Sequence, residues 1–509
     1  MSYSINMIFT HGFYFPLHEE WSSSTITSAY IIIALLSVVV LAICWKRVQN
    51  YGLDLPVVGH ESETDFRAAL EEGAEKYPNT PFILATPMHP TVILPLSIMD
   101  EVKNLPEDIL SLRQHHYTIF LGEYTGFGEP CDQLDVAIRS DLTRHLEQNL
   151  ETFHDEVGYA FDKYVGQCTE WTERPLYDTV LGIVCLLSSR AFVGLPLSRD
   201  EEWIHVSTRY ALDGGHEAHS LSPYPKLIRP LVAPFLLRRL TRYRAMARRM
   251  LQPVLDQILE DTKNGQTKSS KAGGDLMRYI LNHYQNEPVV EHLARDQLNA
   301  SFAAMHTTTI CITQTLFDLA ARPEYIAPLR DELATVMETD GALDGRLHKQ
   351  SMGKLVKMDS VVRESQRVNP PGLVSMLRRV TARNGLLLST GHRIPYGTVV
   401  GFSAHEVTRK YPDAEQFDGF RFAKLREQPG QATRHQLVAT GPDHIAFGHG
   451  THGCPGRFFA ASEIKVFMAY LLQNYDIKLL DGATRPENRH VGGTVSPASD
   501  KILFRKKVE

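Results

Sequence analysis

Between Phe447 and Phe459 the chain reads FGHGTHGCPGRFF, thirteen residues with four glycines, two histidines, one cysteine and one proline. So little side-chain bulk cannot build a core of its own. The apolar run AASEIKVFMAYLLQNY follows at once and reads as the last helix. A glycine-rich loop entering a late helix suits a phosphate cradle, a metal clip or a seat for a larger flat ligand.

The first two readings fit poorly. Gly448-His449-Gly450-Thr451-His452-Gly453 satisfies G-x-G-x-x-G literally. That fingerprint needs a hydrophobic strand before it and a βαβ unit around it, whereas ATGPDHIAF precedes it. A zinc site could draw on His444, His449, His452 and Cys454. Four ligands packed into eleven residues make an awkward tetrahedral clip with no paired set elsewhere.

A haem seat fits better. Glycines 450, 453 and 456 let the backbone bend beside a flat ligand. Pro455 suits the first turn of the following helix, which puts Cys454 where the helix dipole favours a thiolate. Phe447 can shield the sulfur from water, and His452 can donate to a propionate.

The spacing Phe447-x-x-Gly450-x-His452-x-Cys454-x-Gly456 resembles the haem-binding signature of the cytochrome P450 family. The resemblance covers roughly residues 50–509, and its motifs lie in the last two hundred or so. It implies haem b with Cys454 as axial thiolate ligand. Glu364-Ser365-Gln366-Arg367 matches the family's Glu-x-x-Arg, ninety residues before Cys454. PDAEQFDGFRF, Pro412 to Phe422, resembles the next family segment, so Arg421 is expected to join Glu364 and Arg367 in a buried charge triad. Arg378 or Arg379 is expected at a propionate, with register favouring Arg378.

Ala303 to Thr309, AAMHTTT, lies in a long helical stretch from about Val289 to Arg322 that ends at Pro323. Thr307 falls on the family's proton-delivering threonine. Two positions depart: Ala304 stands for a glycine and His306 for an acid, a residue that could relay protons near neutral pH. The family's early Trp-x-x-x-Arg is absent; LDVAIRSDLTRHL occupies that region, with Arg139 or Arg144 as substitutes.

Elsewhere, residues 134–345 are mostly helical, Met358 to Val368 forms a helix before Asn369-Pro370-Pro371, and SMLRRV, GLLLS and IPYGTVVGF read as strands. The expected fold is mainly α with a smaller β part, the cytochrome P450 fold, plus one N-terminal transmembrane helix. Ile26 to Trp45 is an uncharged run of twenty residues, about 30 Å as a helix, enough to span a bilayer. Lys46 and Arg47 follow it while Glu19 and Glu20 precede it, which orients the bulk of the chain to the cytosol. The expected organisation is a lumenal segment 1–25, an anchor 26–45, a Pro/Gly hinge 46–59 and a catalytic domain 60–509. Arg229, Arg238, Arg239, Arg242, Arg244, Arg248 and Arg249 form a basic run that reads either as a solvated helix face or as a surface suited to an anionic leaflet. A net charge of −6 gives no nucleic-acid footprint. Six scattered cysteines without a CxxC pair suit a reducing compartment.

The resemblance therefore implies a monooxygenase of the endoplasmic reticulum membrane. It would use O2, electrons from NADPH-cytochrome P450 reductase and an apolar small-molecule substrate. The style of FAAMHTTT and LRRVT is similar to fungal secondary-metabolism members, which often oxidise terpenoid skeletons. A haem-thiolate isomerase, dehydratase or ring-forming enzyme, or a non-enzymatic haem carrier, are the rival readings. The pocket is expected to draw on Leu110–Gln133, the segment around Leu212–Leu231 and Gly492–Ala498.

Overall fold

The computed structural model describes residues 53–60, 65–86, 90–265, 273–286, 288–341, 345–491 and 493–507. The expected span 26–45 lies outside them. Among the described residues no helix is long and apolar enough to cross a membrane. The body begins at Leu55 rather than 60. Val57 and Val58 form a strand, so this part of the expected hinge is built into a sheet.

Six strands make the main sheet: β1 (Val57–Val58), β2 (Phe82–Leu84), β3 (Thr91–Ile93), β4 (Leu110–Ser111), β5 (Val374–Val380) and β6 (Val399–Ser403). Their order is β1-β2-β3-β6-β5-β4. The β1–β2 and β3–β6 pairs are parallel and the others antiparallel. Phe82, Leu84, Ile93 and Leu373 form a small core of their own on this sheet.

The larger part is helical, as its pattern predicts. Its main helices are α1 (Leu112–Ile119), α2 (Leu146–Tyr164), α3 (Leu176–Phe192), α4 (Glu201–Leu221), α5 (Arg229–Leu236), α6 (Arg238–Lys263), α7 (Val290–Ala321), α8 (Val356–Val368) and α9 (Arg457–Asn474). Twenty of the 32 residues of α7 are buried, on all sides, which makes it the central rod of the bundle. It packs against α3, α4, α6, α8 and α9. Arg322 leaves the helical region immediately before Pro323, which cannot continue a helix. The helix α8 stops at Val368 because Asn369 precedes a proline and is pushed towards extended backbone.

Candidate haem and oxidation site

The loop that opened the sequence reading is positioned from both ends. The Cys454 N–H donates to the Phe447 carbonyl at 2.7 Å, closing the loop, and Arg457 Nη1 donates to the Cys454 carbonyl at 2.9 Å. Gly450 has φ of +78°, and a Cβ there would lie 2.4 Å from the Lys103 carbonyl, so only glycine fits. Gly453 and Gly456 keep ordinary negative φ, against the expectation that all three glycines make the bend. At Gly456 an added Cβ would meet nothing nearer than Ile138 at 3.9 Å; the space beside the cysteine is open rather than filled by protein.

The helix α9 starts at Arg457 with Gly456 as its N-cap, so Pro455 sits ahead of the first turn rather than in it. The cysteine nevertheless feels the helix end. Burial pushes the Cys454 thiol up, while the backbone N–H groups of Gly456 and Arg457 bond the sulfur and pull it down. No strand leads into this loop, which removes the dinucleotide reading. Among the described residues no three His, Cys, Asp or Glu side chains gather for a metal ion, which leaves the zinc reading without a ligand set.

Two basic side chains face this loop, and one of them, Arg378, has no acid at ion-pair distance among the described residues. Arg378 on β5 is 2% exposed. Its Nη1 donates to the carbonyls of Val102 and Lys103 at 3.1 and 3.2 Å, its Nη2 reaches the His449 carbonyl at 3.4 Å, and its Nε bonds nothing. Burial lowers its pKa and distant Glu107 only partly offsets this. His452 places Nδ1 3.3 Å from Glu107 and leaves Nε2 buried without a bond. Burial first, then Arg378, pushes its pKa down. A buried guanidinium without a carboxylate is costly. An anionic group carried by a ligand would relieve it, and haem propionates fit.

Arg139 lies in a π-helical turn, Ala137–Leu142, near enough to His452 to depress its pKa. It occupies the neighbourhood of the missing Trp-x-x-x-Arg element. Arg379 turns elsewhere, onto the Gly397 carbonyl. A bulge between Ser375 and Arg378 puts one extra residue into β5. Met376 inside it has φ of +55°, a strained conformation for a non-glycine residue.

On the other side, α7 carries an accessible stripe, Ala303 and Thr307, although beyond its exposed first turn at Glu291 and His292 it is otherwise enclosed. Thr307 Oγ1 donates to the Ala303 carbonyl at 2.7 Å, so its proton is held by the helix and its lone pairs face the interior space. His306 points another way. Its Nδ1 lies 3.1 Å from Tyr177 Oη on α3, and its Nε2 lies 3.2 Å from the Thr208 carbonyl on α4. A carbonyl can only accept, so Nε2 carries the proton and Nδ1 accepts from the tyrosine. Burial lowers the His306 pKa. The expected proton-relay role of His306 therefore has no geometry behind it: both nitrogens are spent on interhelical bonds.

Beneath the loop, Arg367 grips Glu364 through two bonds of 2.8 Å, and Arg421 Nε lies 3.2 Å from the same carboxylate. Glu364 is fully buried. Arg367 also donates to the carbonyls of Thr408, Ala414 and Gln416, and Arg421 to those of Pro412, Asp413 and Gln416. The structure thus brings Glu364, Arg367 and Arg421 together, and the triad anchors the irregular segment that precedes the cysteine loop. Sequence reading missed Glu463 on α9. It is fully buried, bonded to Ser188 at 2.7 Å, and burial raises its pKa to about 8. No sequence pattern marks its burial.

A central helix with an open stripe and a cysteine loop set beside a buried, unpaired guanidinium are the marks of a haem-thiolate protein. A cytochrome P450 family model matches residues 211–504, and the chain belongs to the cytochrome P450 family. Cytochrome P450 monooxygenase ataF of Aspergillus terreus is 41% identical over 91% of this chain and 93% of its own length. Cytochrome P450 monooxygenase ascG of Acremonium egyptiacum is 39% identical over 91% and 92%, and gliF of Aspergillus fumigatus, also a cytochrome P450 monooxygenase, 40% over 90% and 92%. The chain is accordingly a haem-dependent monooxygenase that oxidises a small molecule with O2 and electrons from a redox partner.

Proposed function

We propose that Cys454 is the axial ligand of the haem iron, that Arg378 and His452 hold its propionates with Arg139 beside them, and that Thr307 serves proton delivery on the opposite face. The observation that carries this reading is Arg378, buried to 2% with no carboxylate at ion-pair distance among the described residues. Haem, when bound, supplies the redox chemistry that activates O2 for insertion of an oxygen atom into a substrate C–H bond. The chain's own residues do the rest. Phe447 screens the sulfur, and the Gly456 and Arg457 N–H groups moderate its charge. Gly450 lets the loop close on Lys103. Thr307 accepts a hydrogen bond at Oγ1 from a water that enters the interior space and so orders it for proton transfer. Glu364, Arg367 and Arg421 keep the loop's footing rigid and take no part in the chemistry.

The electron donor is taken to be NADPH-cytochrome P450 reductase, with both proteins on the cytosolic face of the endoplasmic reticulum membrane. Support comes from the uncharged run Ile26 to Trp45, read as a single-pass anchor after a lumenal segment 1–25. A second support is the segment before and along α5. Leu227, Leu231 and Phe235 are 92%, 72% and 81% exposed, and Lys226, Arg238, Arg239 and Arg242 are exposed beside them. Apolar side chains among cations suit an anionic leaflet surface. The substrate is taken to be an apolar secondary metabolite, of which a terpenoid skeleton is one example.

The test is the carbon-monoxide difference spectrum of the reduced protein in microsomes. A strongly red-shifted Soret band is expected for wild type and its loss for Cys454→Ala. A folded, haem-supplemented wild type without that band would overturn the assignment.

A further inference from the structure

His116 lies near the end of α1, and the two sides of that helix differ. Its neighbour His115 is turned into the core at 5% exposure, whereas His116 has accessible surface. Burial nevertheless lowers the His116 pKa, the largest influence on it, against a small opposing effect of Glu107. Surface that water can reach but protein surrounds is the wall of an interior space.

The ring contacts say which space. His116 lies 6.2 Å from the Phe120 ring, and Phe120 meets Phe302 edge-on at 5.5 Å. Phe302 directly precedes Ala303, which with Thr307 makes the accessible stripe of α7. The helix α1 also packs on β5, the strand that carries Arg378. The helix α1 therefore spans from the propionate side of the site to the Thr307 side. Among the described residues no protein group hydrogen-bonds either His116 ring nitrogen. A neutral imidazole offers one donor and one acceptor, and in a sheltered space both are worth more when something entering can pair with them.

We propose that His116 is the specificity-determining polar contact for the substrate, a ring-bearing and otherwise apolar molecule that carries a carbonyl or amide oxygen. Its rings lie against Phe120 and Phe302, and its oxygen accepts a hydrogen bond from the imidazole N–H. The orientation this gives towards Thr307 rests on the haem seat proposed above. A site built to bond a polar group discriminates against analogues that lack it, because its own group is then left unpaired.

The test uses the full-length holoenzyme and two probes of one shape, 1-tetralone and tetralin, in which a methylene replaces the carbonyl. Binding is read from perturbation of the Soret band. Wild type is expected to bind 1-tetralone roughly fivefold more tightly than tetralin, the scale of one net hydrogen bond. His116→Phe should bring the ratio to about one while keeping tetralin binding, and His116→Gln should keep the preference. Equal binding of both probes to wild type, no binding of either, or an unchanged ratio in His116→Phe would overturn the proposal. Haem loss from His116→Phe with an unchanged ratio would assign the residue to the haem and also overturn it. The carbon-monoxide band of each protein separates these outcomes from failure of the haem seat, since a wild type without it fails before any probe is added.

Discussion

His306 Nδ1 accepts from Tyr177 Oη at 3.1 Å, tying the central helix to α3, while Nε2–H ties it to the Thr208 carbonyl on α4. The residue that replaces the family's acid is thus a strut between three helices. Its pKa is lowered by burial, so between that value and the ordinary value near 6.5 the unfolded chain binds a proton that the folded chain does not. Stability from this group is full above that window and falls as pH drops through it. His306→Gln is expected to cost about 1–3 kcal/mol at neutral pH and to flatten the acid-side slope relative to wild type. The pH dependence of product formation should stay as in wild type. Denaturant melts at several pH values and turnover profiles check both.

The accessible threonine one residue on behaves differently. Thr307→Ala should leave stability within about 0.5 kcal/mol, because its hydroxyl only bonds back to its own helix, at the Ala303 and Ala304 carbonyls. Product formation should fall about 100-fold if ordered proton delivery is lost, with electron consumption continuing. Thr307→Ser should restore most of the yield. The ratio of product to NADPH consumed is the measurement.

Arg378 reads out the haem rather than the turnover. Replacement by Leu removes the unpaired buried cation, so the haem-free protein should be as stable or more stable. Haem retention should weaken by about 10- to 100-fold, the range of a charge-assisted bond. Transfer of haem to an excess of a colourless acceptor protein, followed by absorbance, measures it.

Glu364→Gln breaks a buried carboxylate away from two guanidinium groups. Stranding Arg367 and Arg421 should destabilise the protein by about 3–5 kcal/mol. The amplitude of the carbon-monoxide band per mole of soluble chain should collapse, and Glu364→Asp should recover only part of it.

Phe235 tests the surface. Phe235→Trp in the full chain should add quenching by brominated anionic lipid vesicles beyond that of the wild type's own four tryptophans, and the added quenching should weaken when Arg238, Arg239 and Arg242 become Glu. No quenching beyond wild type would show that α5 stands clear of the bilayer.

Much of this was legible because it is local. The end of α7 is written in Pro323 and that of α8 in Asn369-Pro370. Glu364 and Arg367 share a helix face. What stayed hidden depends on distant partners. Tyr177 and His306 are 129 positions apart, and no periodicity announces their bond. Lys103 dictates glycine at 450 from the other end of the chain. The positive φ of Met376 arises from sheet register, and the sequence there looks like an ordinary strand. The hinge reading of Val57 and Val58 failed for the same reason: their sheet partner β2 begins two dozen residues later.

The topology of the sheets also bears on how the protein is made. Lys501–Lys506 is inserted between Thr172–Pro175 and Tyr475–Lys478, and β3 waits for β6, some three hundred residues downstream. A nascent chain on the ribosome holds β3 without β6 until Val399–Ser403 has emerged, and Thr172–Pro175 without its partner until Lys501–Lys506 has. Closure of the body therefore waits on these late strands, and unpaired edges persist until each is made. A stop codon just ahead of Lys501 would leave the middle strand of that three-stranded sheet missing, with every residue of the cysteine loop already in place.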